Sequence, residues 1–222
     1  MRVRRLVMLR HGQTGYNAGS RMQGQLDTEL SDLGRDQAVA AAEVLAKRQP
    51  LVIVSSDLRR SLDTAVALGE RWGMPVLVDT RLRETHLGDW QGMTHLEVDA
   101  AAPGARLAWR DNARWAPHGG ESRVDVAARS MPLMAELVAD QTEWGVDEPE
   151  RPVVLVAHGG LIAALTAALL DLPVDNWPIL GGMGNASWVQ LSGHSHPSAD
   201  LDGIRWRLDV WNASAQVAND VL

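Results

Sequence analysis

The 222-residue sequence contains no cysteine and no phenylalanine, and Lys47 is its single lysine. The lack of cysteine excludes disulfides and the phosphatases and proteases that attack through a thiolate. Lys47 is far from any glycine-rich loop, which excludes a P-loop of the form G-x-x-x-x-G-K. Since no disulfide calls for an oxidising compartment, we expect a cytoplasmic protein.

Long apolar runs and a basic charge balance are missing as well. The longest apolar run, LIAALTAALL at 161–170, is too short to span a bilayer and predicts a buried helix. The apolar run near the start is four residues long and no small-residue cleavage site follows it, so we expect neither a signal peptide nor a membrane partner. A net charge of −7 disfavours nucleic acid, because a phosphate backbone binds basic surfaces. An anionic ligand would therefore need a local cluster of arginines.

Apolar runs of strand length alternate with helical patterns over most of the chain. This alternation predicts an α/β fold, a three-layer α/β/α sandwich with a mainly parallel sheet. At the carboxyl end, two half-buried strand patterns around the turn-rich segment 193–203 predict an antiparallel hairpin. The predicted strands are 5–9, 51–56, 75–79, 152–157, 185–192 and 204–211, and the predicted helices are 31–47, 57–73 and 161–170.

We interpret residues 1–222 as one domain. Segment 94–145 has helical stretches and turns but too little apolar patterning for a core of its own, which favours a helical or loop insertion that caps the active site. Four tryptophans are expected to fill a core that lacks phenylalanine rather than to stack on a ligand. They are Trp177, Trp188, Trp206 and Trp211.

Two predicted strands end in a histidine followed by glycine. Arg10-His11-Gly12 follows the first strand, and His158-Gly159-Gly160 follows the strand at 152–157. In parallel sheets, ligands bind beyond the carboxyl ends of the strands, and glycine lets the backbone approach a ligand closely. Arg60 lies in the first turn of the helix predicted at 57–73, and Glu84 follows the strand at 75–79. The sequence therefore predicts a pocket with two imidazoles, several guanidiniums and one carboxylate.

That set of groups suits the cleavage of a small anionic phosphate monoester. Guanidinium groups bind phosphoryl oxygens in bidentate fashion, and nearby guanidiniums help to keep an imidazole neutral and nucleophilic. A carboxylic acid can protonate the leaving oxygen. The sequence has no H-E-x-x-H motif, and its one D-x-D triplet, at 200–202, falls in the turn-rich segment 193–203, so we expect neither a metal nor another cofactor.

Four motifs in order carry a resemblance to a known family. They are LRHGQT at 9–14, SSDLRRSLDTA at 55–65, RLRETHLGDWQG at 81–92 and VAHGG at 156–160. Together they resemble the histidine phosphatase superfamily, also called phosphoglycerate mutase-like. The resemblance implies that fold, with His11 as the nucleophile that becomes a phosphohistidine and Glu84 as the proton donor. It further implies a set of residues that bind the substrate or its phosphoryl group: Arg10, Asn17, Gln23, Arg60, His158 and Gly159.

Members of the family are mutases, phosphatases or relatives without catalytic activity. Mutases carry F-x-G-W after the first motif, whereas this chain has RMQGQLD at 21–27, which favours hydrolysis. Further segments resemble a branch that hydrolyses a glucosylated phosphoglycerate, and among them Glu121 and Ser122 match a loop near the pocket mouth. The alternatives are a phosphoglycerate mutase, a broad-specificity sugar-phosphate phosphatase and a non-catalytic scaffold that binds phospholigands.

Several residues also admit a structural interpretation. The acid could be Glu70, Glu97 or Glu121, with Glu84 paired to Arg81 or Arg83. Asn17 and Gln23 could close a loop, and Arg59 is expected to be solvated or salt-bridged. His194 and His196 indicate a turn rather than a metal site, and GGMGN at 181–185 indicates a turn before a strand. A homodimer through the hairpin edge or the insertion is a further hypothesis.

Overall fold

The structure is a computed structural model that describes residues 2–47, 49–146 and 151–215. Its strands are β1 (Arg2–Arg10), β2 (Val52–Ser55), β3 (Val76–Val78), β4 (Val153–Ala157), β5 (Trp188–Ser195) and β6 (Arg205–Ala213). Its α-helices are α1 (Gly15–Ala18), α2 (Asp32–Leu45), α3 (Arg59–Trp72), α4 (His95–Ala101), α5 (Ala105–Asp111), α6 (Arg123–Asp140) and α7 (Gly159–Leu169). Short 3-10 turns cover Thr80–Leu82, Gly88–Trp90 and Val174–Ile179.

All six strands form one sheet in the order β3-β2-β4-β1-β5-β6. The first four in that order are parallel, whereas β5 runs antiparallel to β1 and β6 antiparallel to β5. The predicted mainly parallel sheet and the predicted C-terminal hairpin are both confirmed. β1 is longer than predicted, because its arginine-rich start, residues 2–5, pairs with residues 192–195 of β5.

Apolar cores cover both faces of the sheet. Along β1, Leu6 and Met8 lie in the core beneath α6 and α7, while Val7 and Leu9 lie in the core beneath α2 and α3. The residues of β4 alternate between these cores in the same way, which explains why an uninterrupted apolar run forms a strand here. The three-layer prediction is therefore confirmed.

Local signals set several helix ends, whereas α3 and α7 begin elsewhere than predicted. Ser31 caps α2 by accepting a hydrogen bond from the Gly34 N–H, and Gly73 ends α3 in the left-handed conformation. Asp57 does not cap α3, which begins at Arg59, because its carboxylate pairs with Arg83 instead. α7 begins at Gly159, two residues earlier than predicted, so both glycines lie in its first turn.

Segment 94–145 is divided between two parts of the molecule. Its α6 packs against α7 in the larger core. Its α4 and α5 instead join a small third cluster with Trp90, which lies beside the cavity described below. That this segment acts as a cap stays a prediction, and α4 and α5 are the part of it that adjoins the cavity.

The predicted role of the tryptophans as core residues is confirmed. Trp177 and Trp206 are buried in the core beneath α6 and α7, Trp188 is buried in the opposite core, and Trp211 packs against the first of these. No helix among the residues described has the length and apolar character that crossing a membrane requires.

Candidate active site

Two imidazoles face each other at the carboxyl edge of the sheet. β1 and β4 are paired neighbours with Arg10 opposite Ala157, so the next residue of each strand, His11 or His158, enters the same region. Their ring centroids are 5.2 Å apart and the ring planes are inclined at 59°. Both side chains are buried, and His11 also borders a cavity. The convergence predicted from the strand ends is thus present in the fold.

The hydrogen bonds of His11 fix its protonation. Its Nδ1 lies 2.7 Å from the Gly12 carbonyl oxygen, which only accepts, so Nδ1 carries the proton. Its Nε2 accepts a hydrogen bond from Arg60 Nε–H at 3.2 Å and therefore bears a lone pair. Burial, followed by the charges of Arg60 and Arg10, holds the His11 pKa well below its usual value. The ring is neutral at pH 7, as a nucleophile must be.

The main chain around His11 is held on several sides. The His11 N–H donates to Ala157 at 3.0 Å, and the next N–H, of Gly12, donates to the Thr64 hydroxyl at 3.1 Å. A side chain at Gly12 would lie 2.2 Å from the Gly34 carbonyl oxygen, and one at Gly34 would lie 2.0 Å from the Gln13 carbonyl oxygen. The loop after β1 and the start of α2 are therefore in direct backbone contact.

His158 is fully buried, and neither of its ring nitrogens has a hydrogen-bond partner among the residues described. Burial, followed by the charges of Arg60 and the neighbouring His11, lowers its pKa well below the usual value. Buried ring nitrogens without partners are uncommon. A ligand oxygen beside His11 would supply the missing acceptor.

Two arginines border the imidazoles. Arg60 is 1% exposed and donates from Nη1 to the Leu26 carbonyl and from Nη2 to the Gly24 carbonyl, both at 2.7 Å. Burial lowers its pKa to about 10, which leaves it charged at neutral pH. Arg10 donates from Nη1 to the Met183 carbonyl, while its Nε–H is buried without a partner among the described residues.

Glu84 meets the N-terminus of α7. Its Oε2 accepts a hydrogen bond from the Gly160 N–H, and its Oε1 accepts one from the Leu161 N–H, both at 3.0 Å. Oε1 also accepts from the Thr85 N–H at 2.8 Å. A helix N-terminus favours such a carboxylate, and a side chain at Gly160 would lie 2.5 Å from Oε1. The glycine thus leaves room for the acid.

The other candidate acids are engaged elsewhere. Glu97 belongs to the capping box of α4, Glu70 is exposed on α3, and Glu121 is paired with Arg129. The suggested partners of Glu84 have other contacts too, since Arg81 binds Asp79 and Glu136 while Arg83 binds Asp57. Among these acids, Glu84 alone is in the lining of the cavity.

Arg129 is a residue that sequence reasoning missed. From α6 it donates to the main-chain carbonyls of Arg81, Arg83 and Glu84 at 2.7, 2.8 and 3.0 Å. Its Nε–H donates to Glu121 Oε1 at 2.8 Å. Glu121 therefore orients Arg129, and Arg129 holds the segment that carries Glu84. No local pattern indicated these contacts, because Glu121 lies outside α6 and the three carbonyls belong to another segment of the chain.

A cavity of about 310 Å³ opens from this cluster. Asn17 and Gln23 line it, and both also close the loop: Asn17 completes the capping box of Thr14, and Gln23 Oε1 accepts from the Thr14 and Thr28 hydroxyls. Gly160 lines it, whereas Gly159 adjoins the Arg10 side chain. Sequence reasoning missed the outer lining, which comprises Ser20, Arg21, Met22, Leu87, His95 and Trp109.

The remaining candidates take structural roles. Arg59 pairs with Glu29 at 2.6 Å, as expected of an exposed arginine. His194 and His196 contact serine hydroxyls, and no cluster of three or more metal-ligating side chains occurs in the described part of the chain. The turn at 181–185 leads into β5 as predicted, and Asn185 in it donates to Asn17 Oδ1 at 3.1 Å.

Comparison with known proteins agrees with this geometry. The sequence profile of the Histidine phosphatase superfamily (branch 1) matches residues 6–213. The chain belongs to the histidine phosphatase superfamily. It is 84% identical over both whole chains to a protein of Mycolicibacterium vanbaalenii named glucosyl-3-phosphoglycerate phosphatase. A protein of the same name from Mycobacterium tuberculosis is 80% identical, again over both whole chains.

Solved structures of the superfamily include a mycobacterial glucosyl-3-phosphoglycerate phosphatase in complex with inorganic phosphate. It superposes with a TM-score of 0.90 at 78% identity and covers 97% of this chain and 100% of its own. The fold predicted from the motifs is therefore shared with a superfamily member that binds phosphate.

Proposed function

We propose that the protein is a phosphatase that hydrolyses glucosyl-3-phosphoglycerate to glucosylglycerate and phosphate through a phosphohistidine on His11. The observation that carries the proposal is the buried imidazole pair, 5.2 Å apart, with Arg60 at the lone pair of His11 Nε2. The identity of the substrate rests on the names of relatives that are 84% and 80% identical over whole chains.

The first step is attack by His11 Nε2 on phosphorus. The Nε2 lone pair forms the N–P bond while the bond from phosphorus to the C3 oxygen of the glycerate breaks. The three oxygens of the phosphoryl group accept hydrogen bonds from Arg10, Arg60 and His158 during the transfer. Such donors stabilise the charge of the transition state more strongly in a buried site than in water. The partnerless nitrogens of His158 and the partnerless Arg10 Nε support these roles.

Glu84 protonates the leaving oxygen, since a sugar-acid alkoxide is a poor leaving group. Oε1 accepts hydrogen bonds from two backbone N–H groups and Oε2 from one, which makes Oε2 the oxygen with room for the transferable proton. In the second step, Glu84 takes a proton from a water that attacks phosphorus. The N–P bond breaks, phosphate leaves and neutral His11 is restored.

The experiment that tests this function is nitrophenyl phosphate hydrolysis in the presence of a chelator. We expect turnover in the native protein, none in His11→Ala, and a loss of about 10²–10³-fold in Arg60→Ala, as for removal of a charge-stabilising donor. Intact-mass analysis after rapid mixing should detect a phosphorylated protein that His11→Ala does not form. His196→Ala, on an exposed turn, serves as the control. Activity that survives His11→Ala would reject the nucleophile.

A substrate panel separates the remaining functions. Comparison of glucosyl-3-phosphoglycerate, 3-phosphoglycerate and plain sugar phosphates should give the highest kcat/KM for the first. Conversion of 3-phosphoglycerate to its 2-isomer would instead identify a mutase. Binding of phosphate esters without turnover of any of them would identify a scaffold.

Cellular setting and partners stay predictions. We expect a cytoplasmic enzyme without nucleic-acid partners, on the grounds of the missing cysteine and the net charge of −7. β6 is the outermost strand of the sheet on its side, so a homodimer formed there would extend the sheet. Light scattering at micromolar concentration would measure the oligomeric state.

A further inference from the structure

The cavity is larger than a phosphoryl group requires. Its volume of about 310 Å³ is within the range of about 300–1,000 Å³ typical of sites that bind whole small molecules, whereas a phosphoryl group has four heavy atoms. His11, Arg10, Arg60 and Glu84 form one part of its lining. The outer lining must therefore receive the part of the substrate that is not phosphate.

That outer lining carries little available charge. Its one arginine, Arg21, donates from Nη1 to the Gly92 carbonyl at 2.8 Å, and the same nitrogen lies 3.8 Å from Glu97. Burial, followed by the charge of Arg106, lowers the pKa of His95, so its ring is neutral at pH 7. A second phosphate would require more cationic groups than these. A neutral, hydroxylated group suits this lining better.

Trp109 is the one tryptophan of the lining, which contains no tyrosine or phenylalanine. Its indole N–H is buried and has no acceptor among the residues described. The ring is held from two sides, by an edge contact with Trp90 at 6.0 Å and by the Arg123 guanidinium 5.8 Å from the ring centroid. A buried indole N–H ordinarily has an acceptor, and a sugar hydroxyl would provide one beside an apolar ring surface.

We propose that a sugar subsite in the outer lining binds the glucosyl group, and that Trp109 determines the preference for a glucosylated ester. The sugar subsite is formed by Ser20, Met22, Leu87, His95 and Trp109. This inference rests on the proposed function, because the glucosyl group supplies the hydroxyl acceptors. The sugar subsite thus binds a second part of the substrate whose phosphoryl group is transferred to His11. It also explains why the cavity continues beyond the phosphoryl end.

The test is Trp109→Phe, which keeps an aromatic ring and removes the N–H. The measured quantity is the ratio of kcat/KM for glucosyl-3-phosphoglycerate to kcat/KM for 3-phosphoglycerate. We expect this ratio to fall about tenfold, chiefly through a higher KM for the glucosylated ester, the loss expected for one hydrogen bond. Trp115→Phe is the matched control: the Trp115 ring lies 5.4 Å from that of Trp90 in the same cluster but is not in the lining, so the ratio should stay native.

A second measurement does not depend on turnover. In protein labelled with ¹⁵N at tryptophan, the indole resonance missing from Trp109→Phe identifies Trp109. Glucosylglycerate added with phosphate should shift this resonance, and phosphate alone should not. A native protein without preference for the glucosylated ester would overturn both the proposed function and the inference. A preference that Trp109→Phe retains, with an unmoved resonance, would overturn the inference alone.

Discussion

Replacing Gly160 by alanine should separate helix stability from acid catalysis. Inside a helix this change ordinarily stabilises a protein by about 0.5–1 kcal/mol, because glycine loses more backbone entropy on folding. At this position the added Cβ would lie 2.5 Å from Glu84 Oε1 and 2.8 Å from the Thr85 hydroxyl. The carboxylate must therefore move away from the start of α7. That displacement breaks its hydrogen bonds with the N–H groups of Gly160 and Leu161.

The size of the effect follows from these contacts. Each lost bond to the carboxylate costs about 1.5–3 kcal/mol, so the helix gain is offset and net destabilisation of a few kcal/mol is expected. A displaced general acid loses part of an effect worth about 10²–10⁴-fold in rate. We expect kcat/KM to fall about 10²-fold for a glycerate ester, and much less for nitrophenyl phosphate, whose leaving group needs no proton.

The assay compares kcat/KM for these two substrates in native protein and Gly160→Ala, because this parameter covers the steps up to release of the leaving group. Gly15→Ala is the control, since an added Cβ in that short helix meets nothing within 4 Å. Equal losses with both substrates would show that the variant damages phosphoryl binding instead. Native rates with both would refute the assignment of Glu84 as the acid.

Three further outcomes are expected. Lowering the pH from 8 to 5.5 should reduce the free energy of unfolding by up to about 1.4 kcal/mol for each of His11 and His158. The reason is that the unfolded chain takes up protons that the folded chain does not. Urea titration of His11→Asn at both pH values, with His196→Asn as the control, measures the part of this loss that comes from His11. Arg129→Met should lower kcat about tenfold or more with little change in KM, because it frees the segment that positions Glu84. Steady-state kinetics measures both parameters, and an unchanged kcat would contradict the positioning role of Arg129. Leu155→Ala should cost about 2–5 kcal/mol in the same titration, because the side chain is fully buried.

The parts of the site that could be predicted are those placed by strand ends. β1 contains the apolar run 6–9 and β4 is apolar throughout, so the histidines after them could be assigned to one edge of the sheet before their distance was known. Arg60 followed in the same way from the helix after β2. In each case a local pattern placed the residue at the end of a strand or the start of a helix. The topology of parallel sheets then placed these residues at the same edge of the sheet.

Residues positioned by long-range contacts could not be predicted. Trp109 reaches the cavity because α5 packs on Trp90, and no periodic pattern in the sequence indicates that contact. Arg129 appears in the sequence as one more polar residue of a helix, although it binds three main-chain carbonyls some 45 residues away. Arg4 is 1% exposed and donates to Ser195 on β5, although it precedes the strand predicted at 5–9.

The contact between Gly12 and Gly34 limits how the sequence around the nucleophile could vary. A side chain at Gly12 would collide with the main chain at Gly34, and one at Gly34 with the main chain at Gln13. Tight packing between side chains can be relieved when the partner becomes smaller, but here the obstruction is peptide backbone that no substitution removes. A selection for second-site suppressors of Gly12→Ala should therefore recover revertants at position 12 and none at position 34.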